Sequence, residues 1–343
     1  MALVRKAIDL NKMLHAEICG EKFERSPLTR EEINSAGFKV ISHKNAHLNE
    51  RWHKDLAELI DLRPIKVIGI AGTGKDFVGE CFASMMNRPL ASFSIKPDLD
   101  INEWVSMTRL VGDGVGGTES VITEGLLAKA VQGVKYARNG VEYTQPCFIL
   151  ISDIDRATPR QMEVLRQALQ TDGNAYLTCP ATSRPITCHP DTIWFFTANS
   201  GVDGDGGRGN VTQETDASIN NRMNALFVPP PTASFERKLI ASKYPTLQKE
   251  QVGKLVSSVR AVRKALDAQM SGLEISIRTA QGIAEITLKK MAKGKTFEDS
   301  LRASFIVVKG FFMEKDNRGL IEGAIDPIIG STWVDEQTPT EAP

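Results

Sequence analysis

The chain has 343 residues, of which 41% are hydrophobic and 24% are charged, which is typical of globular domains and excludes a disordered or fibrous protein. The 42 basic residues (Lys and Arg) are balanced by 42 acidic residues (Asp and Glu), so the overall charge gives no support for nucleic acid or an anionic membrane surface as a partner. The five cysteines form no C-x-x-C pair, and we find no signal peptide and no apolar run of ~20 residues, so a soluble protein of the reducing cytoplasm is expected.

The order of the predicted elements indicates an α/β fold. Residues 1–61 are charged and are predicted to form an N-terminal helical segment. Five short apolar runs follow, each typical of a buried parallel strand: Val67–Ile70, Leu90–Ile95, Phe148–Ile151, Ile193–Thr197 and Leu226–Val228. Helices are predicted between them at Val78–Met86, Leu126–Arg138 and Pro159–Leu169, and a hairpin at Asn174–Thr178 with Arg184–Thr187. This alternation predicts a doubly wound parallel sheet with helices on both faces.

The three consecutive prolines Pro229–Pro231 separate two different patterns. Beyond them the sequence is wholly helical in pattern, which predicts a domain boundary and a smaller helical domain. We therefore expect an N-terminal helical segment at 1–61, an αβα domain at 62–231, a smaller helical domain at 232–330 and a disordered tail at 331–343.

The segment Gly69–Lys75, directly after the first apolar run, is typical of a phosphate-binding P-loop. Glycines let successive backbone N–H groups turn toward phosphate oxygens, and a lysine at the start of a helix reaches the β and γ phosphates. The pattern matches at seven of eight positions, because Asp76 stands where Ser or Thr normally coordinates Mg²⁺. The predicted nucleotide-binding residues are Gly69, Ala71, Gly72, Thr73, Gly74, Lys75, Asp76 and Phe77.

Further polar residues follow the later strands. Ser152 and Asp153 follow the third apolar run, as in a Walker B motif, and Asn199 ends the fourth, where it could orient an attacking water. Arg222 precedes the fifth strand, and Arg278 follows Ser276, a possible N-cap. The alternative reading of each arginine taken alone is a surface residue in a salt bridge.

Together these motifs resemble the AAA+ ATPases of the MoxR group, and most closely the small ATPase subunit of aerobic cobaltochelatase. The resemblance covers about residues 62–310. It implies an AAA+ αβα core with a helical lid, with Lys75 as the Walker A lysine and Asn199 as sensor 1. It also implies Arg222 as an arginine finger that reaches a neighbouring subunit's nucleotide, and Arg278 as sensor 2. Relatives of this kind often act with a partner that carries a von Willebrand factor A domain.

Two positions depart from the family pattern and are best considered as a pair. Aligned on Arg156 and Ala157, Ser152 takes the place of the Walker B aspartate and Asp153 that of the catalytic glutamate, while Asp76 replaces the P-loop hydroxyl. In the first interpretation, hydroxyl and carboxylate have exchanged places, so that Asp76, Ser152 and Asp153 form the Mg²⁺ environment. In the second the site has decayed, because a carboxylate beside Lys75 weakens its attraction for phosphate. The reciprocal change favours exchange, and the shorter Asp153 predicts slow hydrolysis.

The sequence therefore predicts an enzyme that binds ATP and Mg²⁺ and hydrolyses ATP. We expect a homo-oligomeric ring, a hexamer, that remodels or loads a partner protein. The alternative is a hydrolysis-deficient ring in which nucleotide only organises assembly. A nucleic-acid translocase is disfavoured by the balanced charge.

Overall fold

The computed structural model describes residues 15–41, 48, 50–62, 64–112, 118–170, 173–199, 217–268, 275–307 and 315–330. Its contacts divide the chain into two compact units, Met1–Pro230 and Pro231–Pro343. The predicted disordered tail at 331–343 lies outside the described residues. None of the helices in the described part is long and apolar enough to cross a membrane.

The first unit contains thirteen described strands and six α-helices. The strands are β1 His15–Ile18, β2 Glu21–Glu24, β3 Ile65–Ile68, β4 Leu90–Ser94, β5 Ser106–Gly112, β6 Thr118–Glu124, β7 Val134–Arg138, β8 Val141–Gln145, β9 Phe148–Ser152, β10 Tyr176–Thr178, β11 Pro185–Thr187, β12 Ile193–Ala198 and β13 Asn224–Phe227. The helices are α1 Arg30–Ser35, α2 Arg51–Leu59, α3 Lys75–Met85, α4 Leu126–Gln132, α5 Pro159–Arg166 and α6 Ala217–Asn220.

A five-stranded sheet in the order β13-β3-β12-β9-β4 forms the centre of the first unit. All its described pairings are parallel, so every strand ends at the same edge, which we call the carboxyl edge. Alternate residues of β9 enter different hydrophobic clusters: Ile149 and Ile151 pack with helices α4 and α5, and Phe148 and Leu150 pack with α3. Helices therefore cover both faces of the sheet, as predicted for a doubly wound fold.

The four remaining sheets are two-stranded antiparallel hairpins, β1-β2, β5-β6, β7-β8 and β10-β11. The last of these confirms the predicted hairpin. The helix predicted at Leu126–Arg138 is wrong in its second half, because α4 ends at Gln132 and residues 134–138 form β7. Gly133 makes this break, with φ at +82°, where a side chain would also meet the Gln145 carbonyl oxygen at 2.7 Å.

The N-terminal segment, predicted to be helical, also contains two strands. Among its described residues, the hairpin β1-β2 precedes the two helices α1 and α2. The hairpin packs on the core, since Ile18 and Phe23 are buried in the same cluster as Phe82 of α3. The Phe23 and Phe82 rings meet edge-on with centroids 6.2 Å apart. This part of the segment therefore belongs to the first compact unit.

The second unit is entirely helical within its described residues. Its helices are α7 Ala233–Lys243, α8 Lys249–Ala268, α9 Ile277–Met291, α10 Phe297–Val307 and α11 Lys315–Ile329. They enclose their own apolar cluster, which includes Leu255, Val262, Ile283, Leu301 and Ile325. The expected fold class is confirmed: an α/β P-loop domain with a doubly wound parallel sheet, followed by a smaller all-helical unit.

Candidate nucleotide-binding site

The P-loop connects the carboxyl end of β3 to the first turn of α3. The loop reverses direction at two glycines with positive φ, Gly72 at +75° and Gly74 at +86°, and Gly74 is the N-cap of α3. Residues with a side chain rarely adopt this conformation, which explains the glycines at both positions. The first N–H groups of a helix have no intrahelical acceptor and carry the positive end of the helix dipole. The loop is thus built to receive an anion.

Lys75 lies at the centre of the site and is 6% exposed. Its Nζ donates to the carbonyl oxygens of Gly69 at 2.7 Å and Ile70 at 2.9 Å, and to Asn199 Oδ1 at 3.2 Å. These acceptors hold the ammonium against the loop. The Thr73 hydroxyl also donates to the Ile70 carbonyl, at 3.0 Å, and so supports the loop from within.

Asn199 follows β12 at the carboxyl edge and connects three parts of the site. Its side chain accepts from Lys75 through Oδ1, and its Nδ2 donates to Asp153 Oδ1 at 3.1 Å. Its backbone N–H donates to Asp155 Oδ2 at 3.0 Å. Asp153 has a left-handed backbone with φ of 58°, which a non-glycine residue seldom adopts, and this conformation follows directly after β9. The structure therefore brings together Lys75, Asn199 and Asp153, which the sequence analysis had placed in one site.

Asp155 forms a second, fully buried layer beneath Asn199. It is 1% exposed, as is Lys66 in the middle of β3. Burial lowers the pKa of Lys66, and the negative charge of Asp155 opposes that shift by favouring the charged amine. The charge of Asp155 therefore acts on Lys66, in the strand that precedes the P-loop, while its Oδ2 accepts the backbone N–H of Asn199.

Asp76 is exposed at the first turn of α3, and its Oδ1 accepts a hydrogen bond from the Thr197 hydroxyl at 2.6 Å. Ser152, which the sequence analysis paired with Asp76 in the Mg²⁺ environment, is the last residue of β9 and is half-buried. Its carbonyl accepts from the Ile95 N–H at 3.0 Å. The roles of Asp76, Ser152 and Asp153 toward Mg²⁺ stay predictions.

The oxygen groups of this site are of the kind that Mg²⁺ prefers. The described part of the chain contains no group of three or more His, Cys, Asp or Glu side chains arranged to hold a metal by themselves. The carboxylates of Asp76 and Asp153 suit Mg²⁺, which proteins usually bind through one or two carboxylates together with substrate phosphates and water.

The two arginines named in the sequence analysis belong to different units of the chain. Arg222 precedes β13, whose first residue Asn224 pairs with Ile65 at the start of β3, so Arg222 is at the amino edge of the sheet. Its Nη1 donates to the Arg166 carbonyl at the end of α5. Arg278 is exposed in the first turn of α9, in the second unit. Ser276 caps that helix, as the sequence predicted, by accepting from the Thr279 N–H at 3.1 Å.

Comparison with known proteins gives structural neighbours only. No protein-family model matches the chain, and no curated protein matches it in sequence. One solved structure that resembles it is RuvB of Thermotoga maritima, described as a Holliday junction branch migration motor, with 13% identity and a TM-score of 0.46 over 79% of this chain and 71% of that one. Another is the AAA domain of FIGL-1 in complex with ADP, with 15% identity and a TM-score of 0.46 over 89% and 99%. At such low identity we infer function from the geometry of the site and not from these neighbours.

The sequence analysis missed three residues of the site, Lys66, Asp155 and Thr197. Each sits in or beside an apolar strand, where a polar residue must find a partner to be buried. A polar residue in or beside an apolar strand indicates that its side chain has a hydrogen-bonding or charged partner. The sequence does not show which residue that partner is. The Thr197 partner is 121 positions away in the chain, at Asp76.

Proposed function

We propose that this protein is an AAA+ ATPase that binds ATP at Gly69–Lys75 and hydrolyses it. The observation that carries this proposal is the hydrogen-bonded series Lys75–Asn199–Asp153 at the carboxyl edge of the sheet. Three separate segments contribute to it, and each supplies a group that phosphoryl transfer to water needs: a cation, a polar amide and a carboxylate. An accidental surface cluster would not be expected directly beside a phosphate-binding loop.

Each residue of the series has a distinct role in the proposed reaction. Lys75 and the loop N–H groups bind the phosphates. Asn199 orients the attacking water, and Asp153, held by the Asn199 amide, accepts its proton. Bound Mg²⁺ would neutralise developing phosphate charge, and Asp76, Ser152 and Asp153 are the proposed residues around it. Asp153 is one methylene shorter than a glutamate, so we expect hydrolysis to be slow.

The position of Arg222 supports a ring. β3 has four residues, which separates its two edges by about 13 Å, with the P-loop at one edge and Arg222 at the other. Arg222 is therefore poorly placed to reach phosphates bound by its own chain. In the proposed homo-oligomer, a hexamer, it would act on the nucleotide of the neighbouring subunit. Arg278 is proposed as the sensor 2 residue of the helical unit.

We further propose, from the sequence resemblance, a place in the MoxR group near the small subunit of aerobic cobaltochelatase. On this proposal the ring remodels or loads a partner protein, in a chaperone-like manner, and that partner carries a von Willebrand factor A domain. The balanced charge argues against nucleic acid as the partner. All five cysteines are free, which agrees with a reducing cytoplasm.

The second candidate is a ring that binds nucleotide but does not hydrolyse it. The shortened Asp153 and the carboxylate of Asp76 beside Lys75 are the observations that favour it. The two candidates share nucleotide binding and differ in turnover, so one set of proteins tests both.

The decisive experiment measures ATP binding by calorimetry and phosphate release for the parent, Lys75→Ala and Asp153→Glu. Lys75→Ala should weaken ATP binding at least tenfold, because it removes a charge-assisted contact worth about 1.5–3 kcal/mol. Lys129→Ala, on α4 and outside the site, is the matched control and should bind as the parent does.

Unchanged ATP affinity in Lys75→Ala would overturn the P-loop assignment. Parent turnover that depends on Mg²⁺ supports the ATPase. Binding with no turnover in the parent, restored in Asp153→Glu, would instead support the scaffold.

A further inference from the structure

The P-loop contains a negative charge where loops of this kind normally have a neutral hydroxyl. Asp76 is exposed in the first turn of α3, next to Lys75 and two positions after Gly74. A carboxylate here repels phosphate oxygens, whereas a divalent cation between the two groups would convert that repulsion into attraction. The effect of Asp76 on a nucleotide thus depends on whether a cation accompanies it.

The structure also shows what fixes this carboxylate. Thr197 Oγ1 donates to Asp76 Oδ1 at 2.6 Å, which is within the range of a charge-assisted O–H···O⁻ bond. Thr197 is 2% exposed and pairs with Val67 of β3 in the middle of the sheet. Because it is β-branched and lies within a central strand, its hydroxyl has little freedom to turn away. The bond uses one carboxylate oxygen of Asp76 and leaves the other for a cation.

We propose that Thr197 is a positioning residue that holds Asp76 as a cation ligand, and that nucleotide binding to this P-loop consequently requires a divalent cation. This inference rests on the proposed nucleotide-binding function. It deepens that function by assigning the hydroxyl partner of Asp76 to β12. It also specifies the ligand as a nucleoside di- or triphosphate in its cation complex.

The experiment is a calorimetric titration of the full chain with ADP, once in excess MgCl₂ and once in excess EDTA. Cation enhancement is defined as the ratio of the two ADP affinities. The parent should show an enhancement of at least about tenfold, because a carboxylate and a phosphate face each other when the cation is removed. Asp76→Ser restores a neutral hydroxyl, so it should bind ADP more tightly than the parent in EDTA and show a smaller enhancement.

Thr197→Val removes the hydroxyl at nearly constant shape, and Thr197→Ser keeps it. The valine variant should lose about tenfold of the enhancement while its ADP affinity in EDTA stays near that of the parent, and the serine variant should keep most of it. Thermal unfolding of both variants checks that they fold. A valine variant that has the parent's enhancement overturns the role of Thr197.

A parent that binds ADP equally in Mg²⁺ and EDTA, with binding still abolished in Lys75→Ala, overturns the cation requirement and leaves the P-loop assignment in place. A parent that binds no ADP under either condition overturns the proposed function itself.

Discussion

The buried pair Lys66 and Asp155 provides a quantitative test of how the site is supported. Both side chains are 1% exposed, and Asp155 also accepts the Asn199 backbone N–H at 3.0 Å. If the charges of Lys66 and Asp155 compensate each other, removing one of them leaves the other uncompensated, which for a buried ion pair typically costs about 3–5 kcal/mol. Lys66→Met should therefore destabilise the first unit by that amount, a large part of the roughly 5–15 kcal/mol available to a domain. For a unit of this size the melting temperature should fall by roughly 6–20 °C.

The assay is urea unfolding followed by tryptophan fluorescence. Trp52, Trp104 and Trp194 all belong to the first unit, so the signal reports mainly on the unit that contains the pair. Asp155→Asn retains an acceptor for the Asn199 N–H and removes only the charge, which makes it the matched partner in a double-mutant cycle. The double variant buries two neutral groups and should cost at least about 1 kcal/mol less than the sum of the singles. If the costs add within about 0.5 kcal/mol, the two charges do not interact and the reasoning is refuted.

Two further predictions concern the N-terminal segment and the proposed subunit interface. Burial lowers the pKa of His53 from 6.5 to about 4, and its Nδ1 accepts the Glu50 N–H at 3.1 Å, so the neutral ring is the form that fits. At pH values between these two pKa values, His53 is protonated in the unfolded chain but neutral in the folded chain. Its contribution to the free energy of unfolding is therefore fully present above about pH 6.5, and the free energy of unfolding falls by up to about 3 kcal/mol as the pH drops to 4. Urea unfolding at several pH values should show that His53→Asn makes stability less dependent on pH. The exposed His15→Asn is the control and should keep the pH dependence of the parent. The role of His53 would be contradicted if His53→Asn kept the parent's pH dependence, or if His15→Asn reduced it equally. Arg222→Ala should lower ATP hydrolysis on the order of 10³-fold while ATP affinity stays within a few-fold of the parent. Mixing it with Lys75→Ala should recover part of the activity, because the two chains can complete one site between them; no recovery in a mixture shown to co-assemble would argue against action across the interface.

The strands of the central sheet could be predicted from the sequence because each is a short apolar run. All five predicted runs overlap the observed strands, for example Phe148–Ile151 with Phe148–Ser152. In the central strands β3, β9 and β12, burial on both faces favours apolar residues at most positions, and this signal does not depend on distant parts of the chain.

The hairpin β7-β8 was missed although the sequence contained its signal. Its strands are joined by Asn139 and Gly140, both with positive φ, at +53° and +79°. Asn-Gly between two alternating segments is a strong indication of a two-residue hairpin. The helix predicted at Leu126–Arg138 instead runs through Gly133 and covers the first strand of this hairpin. The local turn chemistry decided the structure there, and periodicity was the weaker guide.

The sequence predicts those site residues that belong to a local motif or follow a strand. It does not predict those whose contacts depend on which strands are neighbours in the sheet. Lys75 is placed by the loop that contains it, and Asn199 and Asp153 follow strands that end at one edge. Thr197, in contrast, reaches Asp76 only because β12 lies next to β3 in the sheet. Strand order is a property of the whole fold, so a short stretch of sequence does not reveal such pairs.

The contacts of Lys75 indicate how nucleotide binding would reach the proposed base. An ammonium group has three N–H donors, and the structure gives it three acceptors, the Gly69 and Ile70 carbonyls and Asn199 Oδ1. A phosphate oxygen that binds Lys75 must therefore compete with one of them. Of these three contacts the one to Asn199 is the longest, at 3.2 Å, and it is made by a side chain, so it should yield before the two carbonyl contacts. Its release leaves Oδ1 able to accept from a water molecule while Nδ2 still holds Asp153. Occupation of the P-loop would thereby prepare the water-binding side of the same amide.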